Sequence, residues 1–333
     1  MNKIDLVISE NPAASTIGKF ADADLTANGE RRASVALEAL KTLWINTGTL
    51  CNIECVNCYI ESSPKNDRLS YISAVEAAIF FDEIEALNLN TREIGFTGGE
   101  PFLNPDMLAM LKDALERNFE VLVLTNAMQP MQRPRIKSGL LALKARYGDR
   151  LTLRVSLDHY SQALHETERG LRTWHKTLQG LDWLSREEFR VAIAGRTCWG
   201  ETDAQSRAGF AKLIAEHGWP IDPDDRGQLV LLPEMDEKAD VPEITTACWS
   251  ILNISPNDMM CATSRMVVKR KGADKPTVLP CTLLPYDTAF GMGATLAESL
   301  SADGGMFDKG AVKLCHPHCA KFCVLGGGSC TGG

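Results

Sequence analysis

Three cysteines near the start of the chain have a spacing that could hold an iron-sulfur cluster. Cys51, Cys55 and Cys58 form a CxxxCxxC pattern within one short stretch. Three thiolates can bind three irons of a cubane [4Fe-4S] cluster and leave the fourth iron without a protein ligand. An iron with an open coordination position can bind a small molecule, whereas a cluster that only carries electrons more often has four cysteine ligands. A zinc loop or buried free thiols are the alternative, because short cysteine clusters also bind zinc.

A glycine-rich segment further along the chain favours the cluster. Glu93 to Thr97 has the pattern of a strand and runs into Gly98-Gly99-Glu100-Pro101. Glycines let backbone groups approach a ligand closely, and Glu100 offers an acceptor to an ammonium group. The CxxxCxxC stretch followed by a strand and Gly-Gly-Glu-Pro resembles the radical S-adenosylmethionine (SAM) enzyme superfamily. The resemblance implies that SAM chelates the open iron and that residues 98–101 bind its methionine amine.

Polar residues also follow the later strands. Thr125 and Asn126 follow the third strand, and Ser156 and Asp158 end the fourth. The resemblance implies that Ser156 and Asp158 hydrogen-bond the SAM ribose, with a loop-capping pair as the alternative. It implies that Arg196, after the fifth strand, pairs with the SAM carboxylate, which suits guanidinium geometry, although arginine is often only a surface residue.

The cysteine loop departs from the family in one place. In the usual loop the residue before the third cysteine is aromatic and packs near the adenine, but in this chain it is Asn57, and Tyr59 comes directly after Cys58. An adenine contact by an aromatic side chain at that position is therefore not expected. The three cluster ligands are unaffected.

Composition sets the class of protein. The chain has 333 residues, of which 44% are hydrophobic and 23% are charged, as in soluble globular proteins. A formal charge of -8 without a large Lys/Arg cluster disfavours nucleic acid as a partner. The sequence has no apolar run of about 18 residues and no secretory signal, so we expect a cytoplasmic protein without a membrane contact. Eleven cysteines in such a chain indicate metal ligation rather than disulfides.

Alternating strands and helices predict the fold. Strands are expected near residues 43, 95, 122, 154, 192 and 230, with helices between them, and a short helix is expected over Glu30–Leu40. This order predicts an α/β fold, a partial (β/α)6 parallel barrel, which is also the fold of the resembled family. The cysteine loop and residues 98–101 follow strands, at the carboxyl ends where ligands collect in parallel barrels.

The remaining cysteines crowd into the tail. Residues 266–269 and 277–279 flank a turn and predict a β-hairpin, and a late cluster follows it. This resembles the SPASM or twitch extension of radical SAM enzymes, which implies one or two auxiliary [4Fe-4S] clusters. The candidate ligands are Cys248, Cys261, Cys281, Cys315, Cys319, Cys323 and Cys330. A structural zinc site that uses His316 and His318 is the alternative, and Cys198 is expected to be an ordinary buried thiol.

Together these features predict three parts and one function. Residues 1–40 are a leader segment, 41–234 the barrel, and 235–333 a small cysteine-rich α+β domain. The expected function is an enzyme that reductively cleaves SAM to a 5'-deoxyadenosyl radical for hydrogen abstraction, with net oxidation or bond formation. The substrate is a small molecule or a peptide, and the electron comes from an external donor such as flavodoxin or ferredoxin. The alternative is a non-catalytic iron-sulfur or zinc protein.

Overall fold

The structure of the chain is a computed structural model that describes residues 18–234 and 239–328. The strands are β1 (Ser34–Val35), β2 (Thr42–Asn46), β3 (Glu93–Thr97), β4 (Glu120–Thr125), β5 (Leu151–Ser156), β6 (Arg190–Arg196), β7 (Leu229–Leu232), β8 (Ser264–Val268), β9 (Thr277–Leu279), β10 (Phe307–Asp308) and β11 (Ala311–Lys313). The α-helices are α1 (Ala74–Ala86), α2 (Met107–Glu116), α3 (Gln129–Gln132), α4 (Pro134–Tyr147), α5 (Gln162–Arg169), α6 (Trp174–Arg186), α7 (Asp203–His217), α8 (Cys248–Leu252) and α9 (Leu296–Ser301). A π-helix covers Cys319–Leu325.

The main sheet has the strand order β7-β6-β5-β4-β3-β2-β8-β9. Strands β2 to β7 are parallel to their neighbours and are joined by helices, and they are the six strands expected from the sequence. The predicted partial (β/α)6 barrel is therefore confirmed. Leu43, Trp44 and Ile45 of β2 are fully buried, as expected for a strand that is covered on both faces.

The predicted C-terminal hairpin is present as β8 and β9, with Met266 opposite Leu279. Strand β8 also pairs in parallel with β2, with Thr42 opposite Ser264. The hairpin thus extends the barrel sheet instead of forming a sheet of its own. The division of the chain at residues 40 and 234 stays a prediction.

Local sequence signals set where the helices begin. The hydroxyl of Ser73 accepts a hydrogen bond from the Glu76 N–H at 3.3 Å, and the Glu76 carboxylate accepts one from the Ser73 N–H at 2.9 Å. This capping box starts α1 and satisfies two backbone donors that a helix end leaves unpaired. Thr202 and Gln205 form the same box at the start of α7. Among the described helices, none has the length and hydropathy that a bilayer span requires.

The prediction of a helix over Glu30–Leu40 is wrong. Residues 34 and 35 form β1, which pairs with β11, and the Ala33 N–H donates to the Ile244 carbonyl at 2.8 Å. Further along, the Glu38 N–H donates to the Ala262 carbonyl at 2.8 Å. The backbone of this segment is therefore hydrogen-bonded to distant parts of the chain, and this tertiary pairing overrides a weak local helical pattern.

Candidate active site

A cavity of about 170 Å³ opens at the carboxyl ends of the parallel strands. Ten of the residues proposed from the sequence line it: Cys51, Cys55, Cys58, Gly98, Gly99, Thr125, Asn126, Ser156, Asp158 and Arg196. Of the proposed residues near the glycine pair, Glu100 and Pro101 are buried but are not in this lining. The fold thus collects in one place residues that are more than 140 positions apart in the sequence.

The cysteine loop follows β2 and presents its thiols to the cavity. Cys51 is buried, and Cys55 and Cys58 are partly buried. The Asn126 side-chain amide donates to Cys51 Sγ at 3.8 Å, and the Ser62 N–H donates to Cys58 Sγ at 3.3 Å. Burial raises the pKa of Cys51 to about 12 and that of Cys55 to about 11. A metal that binds at this loop must therefore displace the thiol protons.

The glycine pair packs directly against the cysteine loop. Gly98 has a φ of +142°, which an L side chain rarely adopts. The Gly99 N–H donates to the Gly48 carbonyl at 2.8 Å, and the Glu100 N–H donates to the Leu50 carbonyl at 3.1 Å. A Cβ at Gly99 would lie only 2.2 Å from the Leu50 oxygen. The absence of side chains at this pair is therefore what lets the end of β3 hold the start of the loop.

Glu100 links the ends of two neighbouring strands. Its carboxylate accepts hydrogen bonds from Thr125 Oγ1 at 2.8 Å, from the Asn126 N–H at 2.9 Å and from the Phe102 N–H at 3.3 Å. Burial raises its pKa to about 7, although these donors lower it. The sequence suggested an ammonium group as the partner of this carboxylate. In the structure its partners are the protein's own donors at the ends of β3 and β4.

Glu168 is a functional candidate that the sequence did not reveal. One of its carboxylate oxygens accepts from the Asn57 N–H at 2.9 Å and from Arg196 Nη1 at 2.7 Å, and the other accepts from the Asn57 side-chain amide at 2.9 Å. Its backbone carbonyl accepts from the Val56 N–H at 2.8 Å. Asn57, where the family usually has an aromatic residue, is thus the point at which α5 holds the cysteine loop.

Arg169, the next residue along α5, was also missed. It donates to both oxygens of Asp158, from Nε at 2.6 Å and from Nη2 at 3.2 Å. The Asp158 carboxylate, proposed from the sequence as a ribose ligand, therefore lines the cavity with both oxygens engaged. Helix α5 escaped prediction because it lacks an apolar stripe. Ser161 before it and Gly170 after it, as start and stop signals, could have revealed it.

Arg196 lines the cavity, and two of its guanidinium nitrogens make no hydrogen bond within the described residues. Nη1 donates to the Asn57 carbonyl and to Glu168, both at 2.7 Å, and the guanidinium lies over the Tyr59 ring at 4.8 Å. Nε and Nη2 are buried and have no hydrogen-bond partner within the described ranges. These two donors can bind an anionic group that enters the cavity.

The C-terminal cysteines separate into distinct environments. Cys261, Cys281, Cys319 and Cys323 line one apolar cavity together with His318. Burial, followed by the neighbouring Cys281 and Cys261, raises the pKa of Cys319.

Two other candidate ligands lie outside that lining. Cys315 donates to the Phe20 and Asp22 carbonyls at 3.2 and 3.3 Å, and Cys248 lies against Thr245 at 3.5 Å. Cys330 falls outside the described residues. Cys198 is partly buried and lines neither cavity.

A family profile and curated proteins match parts of this chain. The family profile described as "Radical SAM superfamily" matches residues 45–205. The antilisterial bacteriocin subtilosin biosynthesis protein AlbA of Bacillus subtilis (strain 168) is 28% identical over 192 residues, which cover 56% of this chain and 40% of that protein. The AdoMet-dependent heme synthase of Methanosarcina barkeri (strain Fusaro / DSM 804) is 26% identical over 182 residues, which cover 53% of this chain and 49% of that protein. The matched part therefore spans less than half the length of either curated relative.

Two solved structures share the fold. Streptococcus suis SuiB bound to S-adenosylmethionine has a TM-score of 0.57 at 13% identity, over 80% of this chain and 66% of that chain. Native anSMEcpe with bound AdoMet and Cp18Cys peptide has a TM-score of 0.55 at 14% identity, over 79% of this chain and 80% of that chain. At these identities the likeness supports the fold alone.

Proposed function

We propose that the protein is a radical SAM enzyme, because the radical SAM superfamily profile matches its residues 45–205. The proposed reaction is reductive cleavage of SAM to a 5'-deoxyadenosyl radical that removes hydrogen from a substrate, with net oxidation or bond formation. Cys51, Cys55 and Cys58 would hold the first cluster, and cysteines near the C-terminus would hold a second one, which would supply an electron acceptor for the net oxidation. The electron for cleavage comes from an external donor such as flavodoxin or ferredoxin.

The observation that carries the proposal is the content of the barrel cavity. Three thiols on one loop lie at a cavity that also contains Arg196, whose Nε and Nη2 have no partner among the described residues. A [4Fe-4S] cluster on Cys51, Cys55 and Cys58 supplies one electron and an open iron when it is bound. Arg196 then offers two N–H donors to the carboxylate of an amino-acid ligand.

The donor set fits a cubane with one open iron. In the two described ranges, no group of three or more His, Cys, Asp or Glu side chains is arranged to hold a single metal ion. A cubane instead takes each thiolate at a separate iron. The carboxylates in the cavity lining, Asp158 and Glu168, are held by Arg169, Asn57 and Arg196. They are thus engaged elsewhere and do not compete for the open iron.

The chain's own residues provide placement and exclusion of water. Glu100 and the glycine pair hold the end of β3 against the loop, and Glu168 holds the loop from the side of α5. Leu124, Ala194, Val230 and Leu283 add apolar surface to the cavity. A reactive radical needs a target held in contact with it and away from water, and the protein supplies that geometry while the cofactor supplies the chemistry.

We further propose that Cys261, Cys281, Cys319 and Cys323 bind one auxiliary [4Fe-4S] cluster. Their shared cavity is the support for this choice among the seven candidate cysteines. Cys319 and Cys323 lie on the π-helix, and π-helical turns are frequent at functional sites. A zinc site is the competing interpretation, because His318 lies in the same lining and histidine is a common zinc ligand.

For the substrate we propose a peptide. AlbA is a bacteriocin biosynthesis protein, and SuiB has been solved with its precursor peptide SuiA. A small molecule is the second candidate, because the other curated relative is a heme synthase.

The enzyme proposal is tested by adding dithionite and SAM to the protein after anaerobic reconstitution with iron and sulfide. We expect 5'-deoxyadenosine and methionine from the unsubstituted protein and from Cys198→Ala, a matched control whose thiol lies outside both cavities. Cys55→Ala should form neither product. If the unsubstituted protein forms no 5'-deoxyadenosine, with or without candidate peptides, the non-catalytic alternative is favoured.

The auxiliary site is tested by metal analysis of a Cys51→Ala/Cys55→Ala/Cys58→Ala variant, called the triple variant below. About four irons per chain should remain for one cubane. A further Cys261→Ala change should remove them, whereas Cys198→Ala should not. Zinc without iron in the triple variant would contradict the auxiliary cluster.

A further inference from the structure

Arg265 is a fully buried cation beside the C-terminal cysteines. It lies on β8, with 0% of its surface exposed. Nη1 donates to the Cys261 carbonyl at 2.6 Å and to the Ser264 carbonyl at 2.8 Å, and Nη2 donates to the Gly310 carbonyl at 3.3 Å. Nε is buried and has no partner among the residues that the structure describes. All of these acceptors are neutral.

The lack of a carboxylate distinguishes Arg265 from two other buried arginines, Arg32 and Arg196. A carboxylate oxygen lies 2.6 Å from Arg32 and 2.7 Å from Arg196. Within residues 18–234 and 239–328, no Asp or Glu forms an ion pair with Arg265, and the groups near it that can become anionic are the thiols of Cys261 and Cys281. A buried charge without a counter-charge is strongly disfavoured, so this position calls for an anion.

An iron-sulfur cluster on these cysteines is such an anion. Cys261 and Cys281 line the apolar cavity that also contains Cys319 and Cys323. Four thiolates around a [4Fe-4S] core leave the assembly with net negative charge, and reduction adds one more negative charge. In an apolar surrounding the attraction to a fixed cation is weakly screened, and net charge is one of the factors that set a cluster's potential.

We propose that Arg265 is the buried counter-cation of the auxiliary cluster and that its charge raises the reduction potential of that cluster. This inference rests on the proposed auxiliary site at Cys261, Cys281, Cys319 and Cys323. Arg265 is a positioning residue, because it would act on the cluster through its charge and through the Cys261 carbonyl. A higher potential makes the cluster a better acceptor for an electron from a substrate radical.

The test uses the triple variant, in which iron reports the C-terminal site alone. Arg265→Met removes the charge, Arg265→Lys keeps it, and Arg265→Gln is a second neutral variant that retains amide donors. Arg207→Met is the control, since Arg207 is a largely buried arginine on α7 that is paired with Asp203 at 2.9 Å. The reduced fraction is followed by electron paramagnetic resonance during a potentiometric titration.

At a fixed potential, the ratio of reduced to oxidised cluster should fall about tenfold in Arg265→Met, which is a downward shift of about 59 mV for a one-electron couple. Arg265→Gln should fall in the same direction, and Arg265→Lys and Arg207→Met should stay within about twofold of the parent. Loss of iron from both neutral variants but not from Arg265→Lys would also support the charge role, provided that their circular dichroism shows a folded chain.

Other results overturn the inference. Equal potentials in the parent and the neutral variants would show that the charge does not act on the cluster. Loss of iron from Arg265→Lys together with the neutral variants, or unfolding of both neutral variants, would assign Arg265 a purely structural role. If the triple variant itself holds no iron, the result refutes the proposed auxiliary cluster and therefore also the proposed role of Arg265.

Discussion

Replacing Gly99 with alanine tests whether the contact between the glycine pair and the cysteine loop sets the geometry of the three thiols. The added Cβ would lie 2.2 Å from the Leu50 oxygen and 2.6 Å from its carbonyl carbon. That contact is short of the roughly 3.5 Å optimum for non-bonded atoms by more than about 1 Å. Both opposing atoms belong to the backbone, so a side-chain rotation cannot relieve the clash. Leu50 directly precedes Cys51, and the loop must therefore move.

The cost follows from the contacts that the movement breaks. Overpacking of a close-packed interior costs about 1–3 kcal/mol. Separation of β3 from the loop also weakens the hydrogen bonds from the Gly99 N–H to Gly48 and from the Glu100 N–H to Leu50, each worth about 1 kcal/mol. We expect Gly99→Ala to lose about 2–4 kcal/mol in total, measured as the free energy of unfolding of the apoprotein in urea.

The effect on the cluster should be local. If Cys51 is displaced, its thiol no longer has the position relative to Cys55 and Cys58 that a shared cluster requires. Anaerobic reconstitution should then yield about four fewer irons per chain, while the C-terminal site keeps its iron. Gly18→Ala is the matched control, because a Cβ there meets nothing within 4 Å and the backbone is not left-handed. A Gly99→Ala protein with unchanged iron content and stability would refute the idea that this close approach holds the loop.

Two further predictions concern buried carboxylates. Glu168→Gln should let a chelator remove iron from the loop cluster about tenfold faster, since the loss of a charge-assisted hydrogen bond costs about 1.5 kcal/mol or more. The control Glu188→Gln, at an exposed position, should leave this rate unchanged. Equal rates in both variants would contradict the anchoring role of Glu168. Burial raises the pKa of Glu243, but two backbone N–H donors and the Arg32 guanidinium outweigh it and hold the pKa below its ordinary value. The stability from this group is therefore fully present above the unfolded pKa of about 4.3 and is lost as the pH falls through the lower folded pKa. Thermal melts from pH 7 to pH 3 should show a smaller loss of stability in Glu243→Gln than in the unsubstituted protein, and parallel curves would contradict this.

The order of strands and helices could be predicted because each element carries its own local signal. The six barrel strands are apolar runs, and the predicted helices between them show apolar residues at helical spacing, so their positions depend on neighbours in the sequence. The expectation that the cysteine loop and residues 98–101 follow strands then placed both at the same end of the barrel. Helix α5 has no such apolar signal, and this is why Glu168 and Arg169 were missed.

The pairing of the site residues depends on long-range packing. The carboxylate of Glu100 accepts hydrogen bonds from Thr125 and Asn126 at the end of β4, and such a pairing depends on which strands become neighbours. That Glu100 also contacts a ligand stays a prediction. The helix expected over Glu30–Leu40 gave way to pairing with segments that lie more than 200 residues away. The sequence contained the cysteines, the glycine pair and the strand order, because those depend on residue type and local spacing. The packing of β8 onto β2 brings Cys261 to the C-terminal cavity and Arg265 beside it. No local pattern in the sequence encodes that contact, so the sequence could not predict which thiols share the cavity or that Arg265 is buried beside them without a carboxylate.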